Sequence, residues 1–162
     1  MTQESGPPAR AWRSLQAGYA ASLKALDHAL GPVGVTAPQF QALQVIAQGP
    51  QPVTPARLAQ ALALESQSVT GLIDRMERQG WVARHRDLPD RREIRVALTE
   101  LGHSVLLDAA AAAQPAFDRL VAGLTPAELA TLARLLGRAY EAALAPPPSE
   151  PAPPIERANP TT

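Results

Sequence analysis

Apolar side chains recur along this chain at two periods, and each change of period marks an element. Trp12, Leu15, Tyr19, Leu23, Leu26 and Leu30 follow one another at spacings of three and four, which predicts an amphipathic helix over about 9–30. Gly31, Pro32 and Gly34 end it. Thr36 with Gln39 three residues later reads as a capping box and opens a helix reaching Gln48, after which QGPQP forms a turn. Thr54 before Pro55 is an N-cap followed by proline in the first turn, heading a short helix with Leu58, Ala59 and Leu62. The next helix, about Ser66 to Gln79, carries Val69, Leu72, Ile73 and Met76 on one stripe and stops at Gly80.

The period then drops to two. Ile94, Val96 and Leu98 alternate with Arg95 and Ala97, as in a half-buried strand, and Trp81–Arg86 is the candidate partner, with the turn at Asp87-Leu88-Pro89-Asp90. Helical spacing returns after Thr99. One helix runs from Glu100 through the alanines at 109–113, with Pro115 expected to kink it and Phe117, Leu120, Val121 and Leu124 continuing the stripe. Thr125 and Glu128 make a second capping box for a last helix bearing Leu129, Leu132, Leu136 and Tyr140. Residues 1–8 read as a loose polar tail, and 145–162, with seven prolines, as a disordered one. The expected fold class is mainly α: a winged helix-turn-helix over about 36–98 with a small β-hairpin wing, and a helical dimerisation region from about 9–30 and 99–144.

Composition changes this picture in two ways. The 162 residues include no cysteine, which removes disulfides, thiolate metal sites and thiol redox sensing. No apolar run reaches the roughly 18 residues of a membrane span, and MTQESGPPAR lacks the charged and apolar regions of a secretory signal, so a cytoplasmic location without membrane association is expected. The 15 basic and 15 acidic residues cancel, which taken alone argues against a nucleic-acid partner. The cancellation is uneven. From Arg75 to Arg95 seven arginines meet four acids, a net of +3, and the remainder carries −3. Lys24 is the only lysine, and arginine's planar fork suits phosphates and guanine edges.

Two short helices followed at once by a basic hairpin form a reader: the second helix fits a major groove, and the hairpin reaches the flanking backbone or minor groove. Projection at about 100° per residue puts Gln67, Gly71 and Arg78 near the centre of the outer face of the 66–79 helix, flanked by Ser66, Thr70, Asp74 and Arg75. Gln67 suits adenine, the hydroxyls suit bases or phosphates, and Gly71 allows close backbone approach at a propensity cost of about 1 kcal/mol. Arg84, Arg86 and His85 lie in the wing. The alternative is a solvated charged hairpin on a helical protein-interaction module of the same fold without DNA affinity, in keeping with the neutral total.

Residues 58–102 closely resemble the MarR family, the multiple-antibiotic-resistance type of transcriptional regulators. The resemblance rests on Asp90-Arg91-Arg92 followed by Leu98-Thr99 and Gly102, supported by Val69-Thr70 and Ile73-Asp74-Arg75, and the order of elements agrees over about 9–144. It implies a homodimer interlocked through its first and last two helices and bound to pseudo-palindromic double-stranded DNA. By the same resemblance Arg92 inserts into or skirts the minor groove, Asp90 holds a wing arginine by a salt bridge, Arg75 pairs with the wing or touches phosphate, and Ser68 and Thr70 match positions that contact DNA. Arg91 is a further DNA-binding candidate. Glu65 departs from the usual serine or threonine cap, and Pro115 is unusual in its helix.

The resemblance further implies small aromatic or anionic ligands held between the dimer helices and the reader. Trp12, Arg13, Tyr19 and Phe40 are the candidates by position, with ordinary core packing as the alternative for the aromatics. No metal or other cofactor is expected, since His28, His85 and His103 share no ligand spacing. Nor is an enzyme: the chain has no nucleophile elbow, glycine-rich phosphate loop or paired-carboxylate motif. The sequence therefore points to a dimeric DNA-binding regulator, with repression by competition at a promoter as its mode of action.

Overall fold

A computed structural model describes residues 6–86 and 94–145. The expected turn at 87–90, the wing residues Asp90, Arg91 and Arg92, and the proline-rich stretch from 146 onward lie outside the described residues. The elements run α1 (Pro7–Leu30), a 3-10 turn (Gly31–Val33), α2 (Ala37–Gln48), α3 (Pro55–Leu62), α4 (Ser66–Arg78), β1 (Val82–His85), β2 (Arg95–Leu98), α5 (Glu100–Val121) and α6 (Pro126–Leu144). The chain divides into two compact units, one ending at Ala122 and the other beginning at Gly123. Among the described residues no single helix is long and apolar enough to cross a membrane.

In the first unit the expected helices are present, and their starts follow the capping chemistry. Thr36 accepts from the Gln39 amide while the Gln39 side chain accepts from the Thr36 amide. Thr54 accepts from the Arg57 amide and Thr99 from the Gly102 amide, at 3.3 and 2.9 Å. The start of α1 differs from expectation. Pro7 and Pro8, assigned to the tail, form its first turn, where proline lacks nothing the helix needs and its fixed φ is already helical. Pro115 sits inside α5, and the helix continues beyond it to Val121, so the missing N–H does not end the element.

The core gathers Leu26 and Leu30 of α1, Phe40, Leu43 and Ile46 of α2, Leu58 of α3, the α4 stripe, and Trp81, Val82 and Val96 of the hairpin. On α5 the buried side chains are small: Ala109, Ala113 and Ala116, at helical spacing, form the face that lets α1 approach closely. The larger stripe expected farther along behaves otherwise, with Phe117, Leu120 and Leu124 exposed. Each Val, Leu, Ile or Met side chain taken fully from water contributes about 1.5–3 kcal/mol, so α4, with four of them, is firmly seated.

The hairpin is antiparallel, pairing Val82 with Leu98, Ala83 with Ala97, Arg84 with Val96 and His85 with Arg95. Two four-residue strands are marginal alone, and three attachments support them. The Val96 amide donates to Val53 carbonyl at 2.8 Å. The Thr99 hydroxyl donates to the carbonyl of Gly80 at 2.6 Å, and the Thr99 amide to that of Trp81 at 3.1 Å. Gly102 packs directly on the Trp81 backbone, where a Cβ would stand 1.9 Å from the carbonyl oxygen. The Leu98-Thr99 and Gly102 pattern thus has a physical cause: it is the seam between wing and α5. In the second unit, Thr125 and Glu128 complete the expected capping box of α6.

Candidate nucleic-acid interface

Helix α4 is held by both ends and by its inner face. Val69, Leu72, Ile73 and Met76 are buried, as the projection requires. Its C-terminus closes in a Schellman arrangement, with the Gly80 amide donating to Glu77 carbonyl at 2.9 Å and the Trp81 amide to Met76 carbonyl at 2.9 Å. Gly80 supplies the left-handed conformation this needs, at φ 75°. The buried Gln39 of α2 donates to the Gln79 side chain at 2.8 Å, tying the end of α4 to α2. At the other end, the turn from α3 places Ala63 in the left-handed region at φ 52°, and Glu65 follows without a side-chain cap. The first-turn amides of α4 are therefore open to an outside acceptor.

The outer face is polar and accessible. Ser66, Gln67, Ser68, Thr70, Arg75 and Arg78 are exposed, and Gly71 is half-buried. An added Cβ at Gly71 would meet only Arg75 Nη1, at 3.6 Å, so that guanidinium covers the glycine from outside. The Thr70 hydroxyl donates to Ser66 carbonyl at 2.9 Å and keeps only acceptor capacity toward a ligand. Arg78 Nε donates back to Asp74 carbonyl at 3.3 Å. Arg86, just past β1, is exposed.

Arg84 stands apart from the other arginines. Its side chain is only 25% exposed, and its Nη2 pairs with Asp74 at 2.5 Å while Nη1 pairs with Glu77. Burial alone would lower its pKa, but the bond to Asp74 and the charge of Glu77 outweigh that and hold it above its ordinary value. The expected DNA contact at Arg84 therefore has its guanidinium already engaged within the protein. Sequence reasoning assigned no partner to Glu77. The available signal was the three-residue spacing of Asp74 and Glu77, which puts two acids on one face of the helix that leads into the strand.

The four candidate ligand residues differ in burial. Phe40 is 1% exposed and belongs to the core, as the alternative of ordinary core packing has it. Trp12 and Arg13 are exposed on α1. Tyr19 lines a cleft of about 410 Å³ with Gln41, Gln44, Val45, Ala61, Leu62 and Ala63. A second cleft, of about 520 Å³, lies between α2, β2 and the start of α5, and Arg95 and His103 are among its lining residues. Among the described residues no cluster of three His, Asp or Glu side chains is placed to hold a metal ion.

Comparison with known proteins agrees with this architecture. The sequence model of the MarR family matches residues 33–93, from the end of the 3-10 turn through α2, α3, α4 and β1, and stops short of β2. The structure of wild-type MarR from E. coli superposes with a TM-score of 0.68 at 29% identity, covering 78% of this chain and 94% of that one. A mutant of the same protein in complex with operator DNA gives 0.70 at 29% identity, with 78% and 91% covered. CouR from Rhodococcus jostii, bound to p-coumaroyl-CoA, gives 0.72 at 26% identity, with 78% and 88% covered. The reader segment thus matches the MarR family by sequence, and the fold is that of MarR-family regulators. Within that family the fold extends beyond the matched segment: AbsC of Streptomyces coelicolor, a MarR family transcriptional regulator, superposes at 0.76 over 88% of this chain and 98% of its own, at 23% identity. The MarR architecture thus includes the flanking helices as well as the reader.

Proposed function

We propose that the protein is a homodimeric, sequence-specific DNA-binding transcriptional regulator that represses by occupying a promoter and is released by a small ligand. One observation carries the reading. A firmly seated helix presents Ser66, Gln67, Ser68 and Thr70 outward beside Arg75, Arg78 and an arginine-bearing hairpin, which is the chemistry a major groove and its flanking phosphates require. The relative solved with operator DNA supports DNA as the partner, and the relative solved with p-coumaroyl-CoA supports a small-molecule effector.

The exposed apolar faces support dimerisation. Trp12, Leu15 and Tyr19 on α1, and Leu132, Leu135, Leu136 and Tyr140 on α6, amount to more apolar surface than single scattered residues account for. A second copy covering them would bring two α4 helices to half-sites about 34 Å apart, one DNA turn, and so multiply specificity. A ligand relieves repression only by binding the two reader spacings unequally. Tyr19 and its cleft, adjoining the α3–α4 turn at Ala63, are the place in this chain where that difference would be felt.

Titration of DNA from upstream of the protein's own coding sequence across a salt series tests the reading. Specific shifts that weaken steeply with salt are expected. Micromolar protein leaving that DNA unshifted at low salt would favour the protein-interaction module instead. Arg92→Ala should weaken binding across sequences and lower the salt slope by about 1, whereas Gln67→Ala should relax preference at one or two base pairs per half-site, at about 1–3 kcal/mol.

A further inference from the structure

We propose that Asp74 and Glu77 form a two-carboxylate socket for Arg84 that sets the position of the wing against the recognition helix, so that Arg84 is a positioning residue and makes no phosphate contact. The proposal rests on the DNA-binding reading above and assigns a role within it.

Three features lead here. Asp74 and Glu77 lie three residues apart on α4, on one face, and Arg84 projects from β1 to meet both, with Nη2 on Asp74 at 2.5 Å and Nη1 on Glu77. A guanidinium fork can serve two carboxylates at once with little loss of freedom, which a lysine ammonium cannot do as well. Arg75, Arg78 and Arg86 are exposed, whereas Arg84 is three-quarters covered. The local charge also opposes a phosphate role. Two carboxylates around one arginine leave a net −1, which repels a polyanion. The same arrangement suits a clamp. Backbone attachments to Val53 and Thr99 hold the β2 side of the hairpin and its Gly80–Trp81 entry, and this ion-pair network joins β1 to the middle of α4.

The sign of one measurement decides between clamp and contact. Wild-type protein selects its preferred duplex from a random pool, and that duplex serves as the probe in anisotropy titrations across salt. Replacing Asp74→Asn with Glu77→Gln makes the reader two units more positive, so electrostatics alone predicts tighter binding. The clamp predicts weaker binding, roughly fivefold, with an unchanged salt slope. Arg84→Gln should give a similar loss, again without a change of slope. Tighter binding of the double variant, or a slope smaller by about 0.9 for Arg84→Gln, overturns the proposal. Arg84→Glu should bind worst, and adding Asp74→Asn and Glu77→Arg should restore most of the loss. Recovery with the wild-type salt slope supports the clamp, and recovery with a steeper slope, the mark of the three added positive charges, overturns it.

Amide exchange on the DNA-free protein gives an independent reading. Exchange over Val82–His85 and Arg95–Leu98 should quicken in both the acid-neutralised and the Arg84→Gln variants, while that of Leu58 and Ile73 holds. Unchanged exchange in the strands overturns the clamp whatever the DNA result. If the wild type selects no duplex while exchange responds as expected, the regulator reading fails and the socket remains as a tie between helix and wing without its role in DNA binding.

Discussion

In α4 the four stripe residues Val69, Leu72, Ile73 and Met76 are at most 2% exposed, whereas in the first half of α1 Trp12 and Tyr19, on the same helical spacing, are 60% exposed. Both helices are amphipathic and both stripes were legible from periodicity. The difference lies in what stands opposite. α4 is enclosed by α2, α3 and β1, whereas α1 packs on α5 and α2 and puts only Leu26 and Leu30, near its C-terminal end, fully into the core. Periodicity names the face that seeks cover and does not say whether the same chain supplies it. Where it does not, the face stays exposed, as at Trp12 and Tyr19, and the proposed dimer would cover it.

The largest expected effect breaks the covered side of this comparison. Leu72→Ala should cost about 2–5 kcal/mol in denaturant unfolding, because the site is sealed on all sides and collapses poorly. A cost below about 1 kcal/mol would mean that α4 is not seated as described. Gly102→Ala comes next, at roughly 1–3 kcal/mol, since the new Cβ meets Trp81 backbone and not a side chain able to turn away. On the uncovered side Trp12→Asp should leave the unfolding of an isolated chain nearly unchanged. It should raise the dimer dissociation constant at least about tenfold in sedimentation equilibrium, the effect of losing one central aromatic anchor. A constant that does not move would remove α1 from the interface.

Smaller effects sharpen the comparison at helix ends. Ala63→Gly should stabilise by a few tenths to about 1 kcal/mol, as glycine relieves the left-handed strain at φ 52° and gives back part of the gain in chain entropy. Glu128 is the smallest case. Its bonds from the Thr125 amide and hydroxyl hold its pKa below the ordinary value, so its contribution to α6 is present above the unfolded carboxylate range near 4.3 and fades as pH falls through the folded value. Thermal midpoints of wild type and Glu128→Gln should therefore differ at neutral pH and converge in acid.

Much of the fold was legible because its signals are local. Thr36, Thr54, Thr99 and Thr125 announce helix starts through hydrogen bonds spanning three residues, and Gly80 announces an end through its own backbone conformation. The outer face of α4 was equally legible, since it is the complement of the stripe. The burial of Phe40 and the ion pairs of Arg84 were not legible, for one shared reason. An aromatic on a helix and an arginine on a wing look the same in sequence whether they face a ligand or a neighbour, and the neighbours here are distant elements or acids on another element. Likewise, nothing in the spacing of Phe117 and Leu120 told that α5 would bury its alanines instead.

Residue patterns alone placed the capped helix starts from Thr36 onward, the polar face of α4, and the concentration of positive charge between Arg75 and Arg95 within a neutral chain. These depend on hydrogen bonds and periodicities that close within a few residues. Only the tertiary structure decided which apolar faces are covered, that Gly102 must lack a side chain beside Trp81, and that Arg84 belongs to Asp74 and Glu77. Burial and ion pairing are properties of surfaces brought together from separate elements, and the spacing of residues along one element carries no record of what the others will bring.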